Sequence, residues 1–245
     1  MAYKGTHFHG YQSQPNAVTI QSEIETCLRT ILGVETQVVG CSRTDTGVHA
    51  SQFFLHFDTD TVLEGDLFIY KLNAIVHPDI VFHKLHPVAD DAHARFDAES
   101  RSYVYYMDLK RDPFRQETAY FFSFQSELDI ELMNQAVSKL KSYTDFTTFC
   151  KSRTDVKNKI CTLTRSEWHF DEERSTLIYN ISANRFLRGM IRLIVGMSIQ
   201  VGRGTMSVEH VMSCMENRLL LDKPYSAPAK GLFLKDIIYP YIPNR

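Results

Sequence analysis

The run GCSRTDTGVHA, residues 40–50, gathers the residue types that chemistry uses: Arg43, Asp45 between two threonines, then Gly47 and His49. Strand-like apolar stretches precede and follow it, so it reads as a polar loop on a rigid scaffold, where reactive groups are commonly placed. An ionised carboxylate in such a loop can serve as a nucleophile. It can equally close a turn through its own side chain, as Asp does in many loops. The triplet Asp45-Thr46-Gly47 also invites comparison with aspartic proteases, but that chemistry needs two carboxylates sharing a proton. The chain holds one D-T-G, and the residues before it are polar where a protease has an apolar strand.

Two further groups stand out. In RFLRGMIRLIVG, Arg185, Arg188 and Arg192 recur at spacings of three and four, which on a helix places them on one stripe with Gly189 and Gly196 on or beside it. Such a stripe is either a solvated basic face or a surface where RNA phosphates dock. In RSYVYYM, strand alternation puts Arg101, Tyr103 and Tyr105 on one face. A strand tyrosine is ordinarily core, and it can also hold a base taken out of its stack. His93 and Arg95 in DDAHARF either orient their loop or meet phosphate. His7, His9, His49 and His56 lack the spacing and the carboxylate or thiolate companions of a zinc site, so no metal is expected.

These groups need elements to position them. Ile20, Ile24, Cys27, Leu28 and Ile31 recur at helical spacing over residues 19–32, with Gly33 as the stop. Strands are expected at ETQVVGC, SQFFLHFDTD, IVFHKLHPV, RSYVYYMDL and AYFFSF, with a short helix over 67–75. A helix follows over DIELMNQAVSKL, capped by Asp129, then strands over 161–170 and 177–183. Helices over 185–201 and 208–219 and a last strand, GLFLKDIIYP, complete the chain. Neighbouring strands interrupted by helices imply an α+β fold, not a regular β-α-β alternation. The expected division is 1–98, carrying the Asp45 loop, and 99–245.

At 245 residues and 44% hydrophobic content the chain is large enough to bury a substantial core. No run approaches a membrane span and the N-terminus has no apolar signal core, so a cytoplasmic protein is expected. Five cysteines without a C-x-x-C pair argue for reduced, packing thiols. The net charge of −2 means that a nucleic-acid partner would have to be met by a local basic surface.

Residues 43–50, RTDTGVHA, resemble the R-T-D-A-G-V-H-A signature of the TruA-type tRNA pseudouridine synthases. GTHFHGYQSQPNAVTIQSEIE, LNAIVHPDI, HARFDAESRSYVYYM, DFTTF, NRFLRGMIRLIVG and APAKGLFL are similar to further blocks of that family, in the same order. The resemblance implies two mixed or antiparallel sheets with outer helices around a central RNA-binding cleft. It implies isomerisation of uridine to pseudouridine at positions 38, 39 and 40 of the tRNA anticodon stem-loop, without cofactor or metal, by a homodimer. Asp45 then matches the catalytic aspartate, Arg192 the arginine that pairs with it, and Tyr103 the tyrosine that stacks on the target base. Arg43 matches the residue that fills the vacated place in the RNA, and Leu232 the apolar residue on the other wall of the base pocket, although a core leucine is an equal reading. Breaking an N-glycosidic bond and rejoining the base through carbon calls for a nucleophile that takes up the electron deficit of ribose or adds to the base; a carboxylate suits either. A nearby guanidinium keeps such a carboxylate ionised. A tRNA-binding or chaperone protein of the same fold without turnover is the alternative.

The chain departs from the family pattern in three places. Met1 falls late in the family's first strand, so the sheet edge is expected to be short or missing, and Lys4 replaces an aspartate. Tyr11 stands for a tryptophan. Ser42 and Thr46 replace glycine and alanine around R-T-D.

Overall fold

The computed structural model describes residues 1–123, 128–151 and 158–242. The chain forms two units, Met1–Glu99 with Phe233–Arg245, and Ser100–Leu232. Against the expected 1–98 and 99–245, the chain therefore returns to its first unit at the end.

The first unit opens with strand β1 (Ala2–Tyr3) and helix α1 (Ile20–Leu32). Local signals delimit α1. Thr19 and Ser22 form a reciprocal capping box at its start, and Gly33, at φ 74°, ends it with its N–H on the Arg29 carbonyl. Ile20, Ile24, Cys27 and Leu28 are buried along one stripe. Then come β2 (Val39–Gly40), β3 (His49–Ala50), β4 (Leu55–His56), helix α2 (Gly65–Ile75) and β5 (Ile80–Val81). The runs expected as long strands pair over two residues each. β1 lies between β3 and β5, antiparallel to both, so the first strand is short but doubly paired. Phe53 and Met1 reinforce it by exchanging two hydrogen bonds, of 2.8 and 3.0 Å. Lys4 pairs with Asp79 at 3.4 Å. The last strand of the chain, Leu232–Ile238, runs parallel to β3 with Phe233 opposite His49. β2 and β4 form a separate antiparallel pair.

The second unit is built on β6 (Ser100–Asp108), β8 (Leu163–Asp171) and β9 (Thr176–Ala183), antiparallel in the order β6-β9-β8, with β7 (Tyr120–Phe121) parallel to β6. Part of the strand expected at AYFFSF lies outside the described residues. Helix α3 (Ile130–Lys139) is capped by Asp129, whose Oδ1 accepts the Leu132 N–H at 2.9 Å. Helix α4 (Met190–Gly202) is buried along most of its length, and α5 (Val208–Asn217) follows; the last strand is β10. Buried polar groups between α3, β8 and α4 are paired. The Trp168 indole donates to Ser198 Oγ at 3.1 Å, and the Asn134 side chain meets both main-chain groups of Trp168, at 2.7 and 2.9 Å. Gly202 lets α4 approach α3: a Cβ there would stand 2.6 Å from Met133 Cγ. Mixed sheets with helices in both units make the fold α+β, as expected. Among the described residues no helix is long and apolar enough to cross a membrane.

Candidate active site

Asp45 sits half-buried in the loop between β2 and β3, between buried Thr44 and exposed Thr46. Its turn is closed by main chain: the Val48 N–H donates to the Asp45 carbonyl at 3.1 Å, and Gly47 takes φ 75°. Non-local contacts hold the loop in place. Thr44 Oγ1 meets the Tyr3 hydroxyl at 2.8 Å, and the Thr44 carbonyl accepts the Tyr11 N–H at 3.2 Å. Gly10, at φ 89°, lies so close that a Cβ there would be 2.7 Å from the Thr44 carbonyl. His49 is fully buried; its Nδ1 accepts the Gly5 N–H at 3.0 Å and its ring stacks on Phe233 at 4.5 Å. Tyr11, in the place of the family tryptophan, is buried and stacked on Phe53 at 4.5 Å. The result is a fixed frame carrying Asp45 and, exposed beside it, Arg43.

The other first-unit candidates form a tight turn. His93 Nδ1 accepts the N–H groups of Arg95 and Phe96, at 3.1 and 3.2 Å, and its ring stacks on Phe96 at 4.2 Å. Asp97 closes the turn through the His93 N–H at 2.6 Å and the Tyr241 hydroxyl at 2.9 Å, and these bonds hold its carboxyl below the usual range. Tyr241 is correspondingly pushed up to about 12, by burial first and by Asp97 second. Arg95 is exposed, with its guanidinium 5.8 Å over the Phe96 ring.

In the second unit, Tyr103 is buried on β6 opposite Ile181, with its ring edge-on to Phe186 at 5.3 Å. The stripe of arginines is not formed. Helix α4 begins at Met190, not Arg185, because Gly189 takes φ 71° and interrupts the helical ladder. The Leu187 carbonyl receives the Met190 N–H instead, at 3.1 Å. Arg185 and Arg188 therefore lie on the segment before the helix, half-buried and exposed respectively, and Arg192 alone is helical. That segment is tied down at Asn184, whose carbonyl accepts from Arg101 at 2.9 Å and whose Oδ1 accepts the Thr162 N–H at 2.8 Å.

Arg192 and the segment before β10 define each other. Arg192 Nε donates to the Ala227 carbonyl at 2.6 Å, and the Ala227 N–H returns to the Arg192 carbonyl at 3.0 Å. The Tyr105 hydroxyl holds the Pro228 carbonyl at 2.9 Å. A Cβ on Gly231 would stand 2.7 Å from the Tyr106 carbonyl, so this glycine lets the chain pass close to β6 just before buried Leu232.

The sequence assigned no role to Phe186, Arg101 or Lys151, which adjoin Tyr103, Asn184 and Gly189 respectively. Phe186 lay inside a quoted block without an assigned role; Lys151, whose Cε would be 2.5 Å from a Cβ on Gly189, is remote in sequence and gave no signal. All five cysteines are buried thiols, and burial pushes Cys161 up to about 11, against nucleophilic use. Among the described residues no group of three or more His, Cys, Asp or Glu is placed to hold a metal ion.

Residues 136–240 match a family model described as tRNA pseudouridine synthase. The chain is 42% identical over 241 residues to tRNA pseudouridine synthase A of Bacteroides fragilis, covering 98% of this chain and 94% of the relative. It is 35% identical over 239 residues to the Staphylococcus aureus protein of the same name, covering 97% and 89%. The Asp45 loop and Tyr103 lie outside the family-model match but within this near-complete kinship, and on that kinship the chain belongs to the tRNA pseudouridine synthase family.

Proposed function

We propose that this chain isomerises uridine to pseudouridine in the anticodon stem-loop of tRNA, at positions 38, 39 and 40, with Asp45 as nucleophile. The reaction breaks the bond from C1′ to N1 of the base, forms one from C1′ to C5, and moves the C5 proton to N1. Nothing is oxidised or reduced. Asp45 supplies the electron pair that carries the separated fragment. Arg192 supplies the positive charge that keeps the aspartate ionised, and Tyr103 and Leu232 hold the target base. Arg43 occupies the place the base leaves, while Arg185, Arg188, His93 and Arg95 meet the RNA around it. The enzyme works as a homodimer in the cytoplasm.

The observation that carries this reading is the clamped loop of residues 40–50, in a chain alike over 98% of its length to a tRNA pseudouridine synthase A. Its frame leaves the reactive carboxylate half-buried on fixed main chain, the preorganisation a nucleophile needs. The test is incubation with unmodified tRNA and no added cofactor, followed by chemical mapping of pseudouridine. Product at positions 38–40 is the expected result. Tight binding without product identifies a non-catalytic tRNA-binding protein and overturns the reading.

A further inference from the structure

The turn after β6 carries a second feature that Asp45 chemistry does not use. A pocket of about 490 Å³ opens between residues 110–115 and the β8–β9 turn, lined among others by Lys110, Arg111, Phe114, Arg115 and Arg174. That is within the roughly 300–1,000 Å³ of small-ligand pockets. Phe114 is 94% exposed. Its main chain is fixed: Pro113 opens a single 3-10 turn, and Asp112 Oδ1 accepts the Phe114 N–H at 2.8 Å.

The lining carries four cations, Lys110, Arg111, Arg115 and Arg174, against three acids, Asp108, Asp112 and Glu173. Asp108 is taken up internally, by Arg115 Nη2 at 3.0 Å and by Thr176 Oγ1 at 2.7 Å. Asp112 is engaged as the cap. Arg111 lies over the Phe121 ring at 6.0 Å, a contact that leaves its charge uncancelled. Lys110, Arg111 and Arg174 are exposed cations of the lining, facing exposed Glu173 there and exposed Glu172 beside it in the turn. Arg115 Nε is also buried without a hydrogen-bond partner among the described residues. An exposed aromatic ring beside several guanidinium groups is what stacks a nucleobase and takes its phosphates.

We propose that this pocket is a second RNA-binding site, in which Phe114 stacks on an unpaired base of the bound tRNA and Arg111 and Arg174 contact its phosphates. The inference rests on the reading that the chain acts on tRNA. An acidic protein would meet the same cations and ring, but binding of that kind would leave the salt dependence of tRNA affinity unchanged in the variants below.

The test measures affinity for unmodified tRNA between about 50 and 200 mM salt. In the double variant Arg111→Ala, Arg174→Ala, the slope of log affinity against log salt is expected to shrink by roughly 1.4–1.8, about 0.7–0.9 for each lost phosphate. Phe114→Ala weakens binding roughly 5- to 150-fold, and Phe114→Trp restores it. A double variant that melts normally and keeps the wild-type slope overturns the proposal, as does Phe114→Ala at wild-type affinity. Pseudouridine yield from the wild-type chain is read in the same samples. Wild-type binding and turnover with unaltered variants defeat this inference alone, whereas a wild-type chain that does not bind tRNA defeats both.

Discussion

Arg192 and Ala227 hold each other twice, through the arginine Nε on the alanine carbonyl at 2.6 Å and the alanine N–H on the arginine carbonyl at 3.0 Å. The first bond uses the one guanidinium nitrogen that lies on the stem of the side chain, so the direction of the remaining N–H groups is set by the main chain. Lysine keeps the charge but has no donor at that place. Arg192→Lys is therefore expected to cost only about 1 kcal/mol of stability and about a hundredfold in turnover, since small misplacement near reacting atoms is expensive. Single-turnover kinetics beside a melting curve decide this. Turnover within a factor of two of wild type would show that Arg192 contributes charge alone.

One turn further along the same helix, Gly196 faces the main chain that Arg192 anchors. A Cβ at Gly196 would stand 1.7 Å from the Tyr225 carbonyl oxygen, and backbone cannot yield as a side-chain tip does. Gly196→Ala is expected to destabilise by about 1–3 kcal/mol, a fall in Tm of roughly 2–12 °C. Gly204, at φ 66° with open space around it, provides the contrast: alanine there costs only about 1 kcal/mol of backbone strain. Equal melting points for the two variants would mean that the segment around Tyr225 shifts freely.

What could be read from the sequence was what local chemistry determines. Gly33 and Asp129 announced the end of α1 and the start of α3 because caps act within a few residues, whereas Thr19, read as the first helical residue, is the cap of α1. The long strands β6, β8 and β9 were visible for the same reason: eight or nine residues of pairing leave a pattern. The start of α4 was misplaced because Gly189 reads as a tolerated helix glycine until its left-handed backbone is seen. The return of β10 to the first unit rests on Phe233 meeting His49, a pairing across most of the chain that no local signal records. At the site, the residue types in the Asp45 loop were legible, but its clamps, Tyr3, Gly10 and Tyr11, come from a distant segment.

His56 gives the first unit a pH response. Its Nδ1 accepts the Ala94 N–H at 3.0 Å, which a proton on that nitrogen forbids, and burial, then the nearby His93, lower its pKa below 6.5. Asp58 and Asp97 oppose this more weakly. Because the unfolded chain takes up the proton first, stability is complete above pH 6.5 and declines as the pH falls from there to the folded value. Asp97 acts lower down: its folded pKa is below 3.8, so its contribution is present above that pH and is lost as the pH falls through the folded value. Tm measured against pH should therefore drop first below about 6.5. His56→Gln, which retains an acceptor without titrating, should flatten that first drop; an unchanged profile would assign it to another group.

Asp45 can be separated from its loop by two substitutions that disturb different things. The turn is closed by the Asp45 carbonyl and fixed from outside by the buried pair of Thr44 Oγ1 and the Tyr3 hydroxyl, 2.8 Å apart. Asp45→Asn leaves both in place and keeps the side-chain shape, removing only the anionic oxygen. Stability is expected to stay within about 0.5 kcal/mol and tRNA affinity near wild type, while pseudouridine formation falls to background. Thr44→Val does the reverse: it removes the buried hydrogen bond to the Tyr3 hydroxyl, at a cost of about 1 kcal/mol, but leaves the carboxylate, so turnover at a temperature where the protein is folded should be reduced without being abolished. If Asp45 only shaped the turn, the order would invert, with asparagine nearly silent and valine the more damaging. A folded Asp45→Asn protein that binds tRNA and forms pseudouridine at a normal rate would remove the nucleophile from this position, however closely the chain follows its relatives.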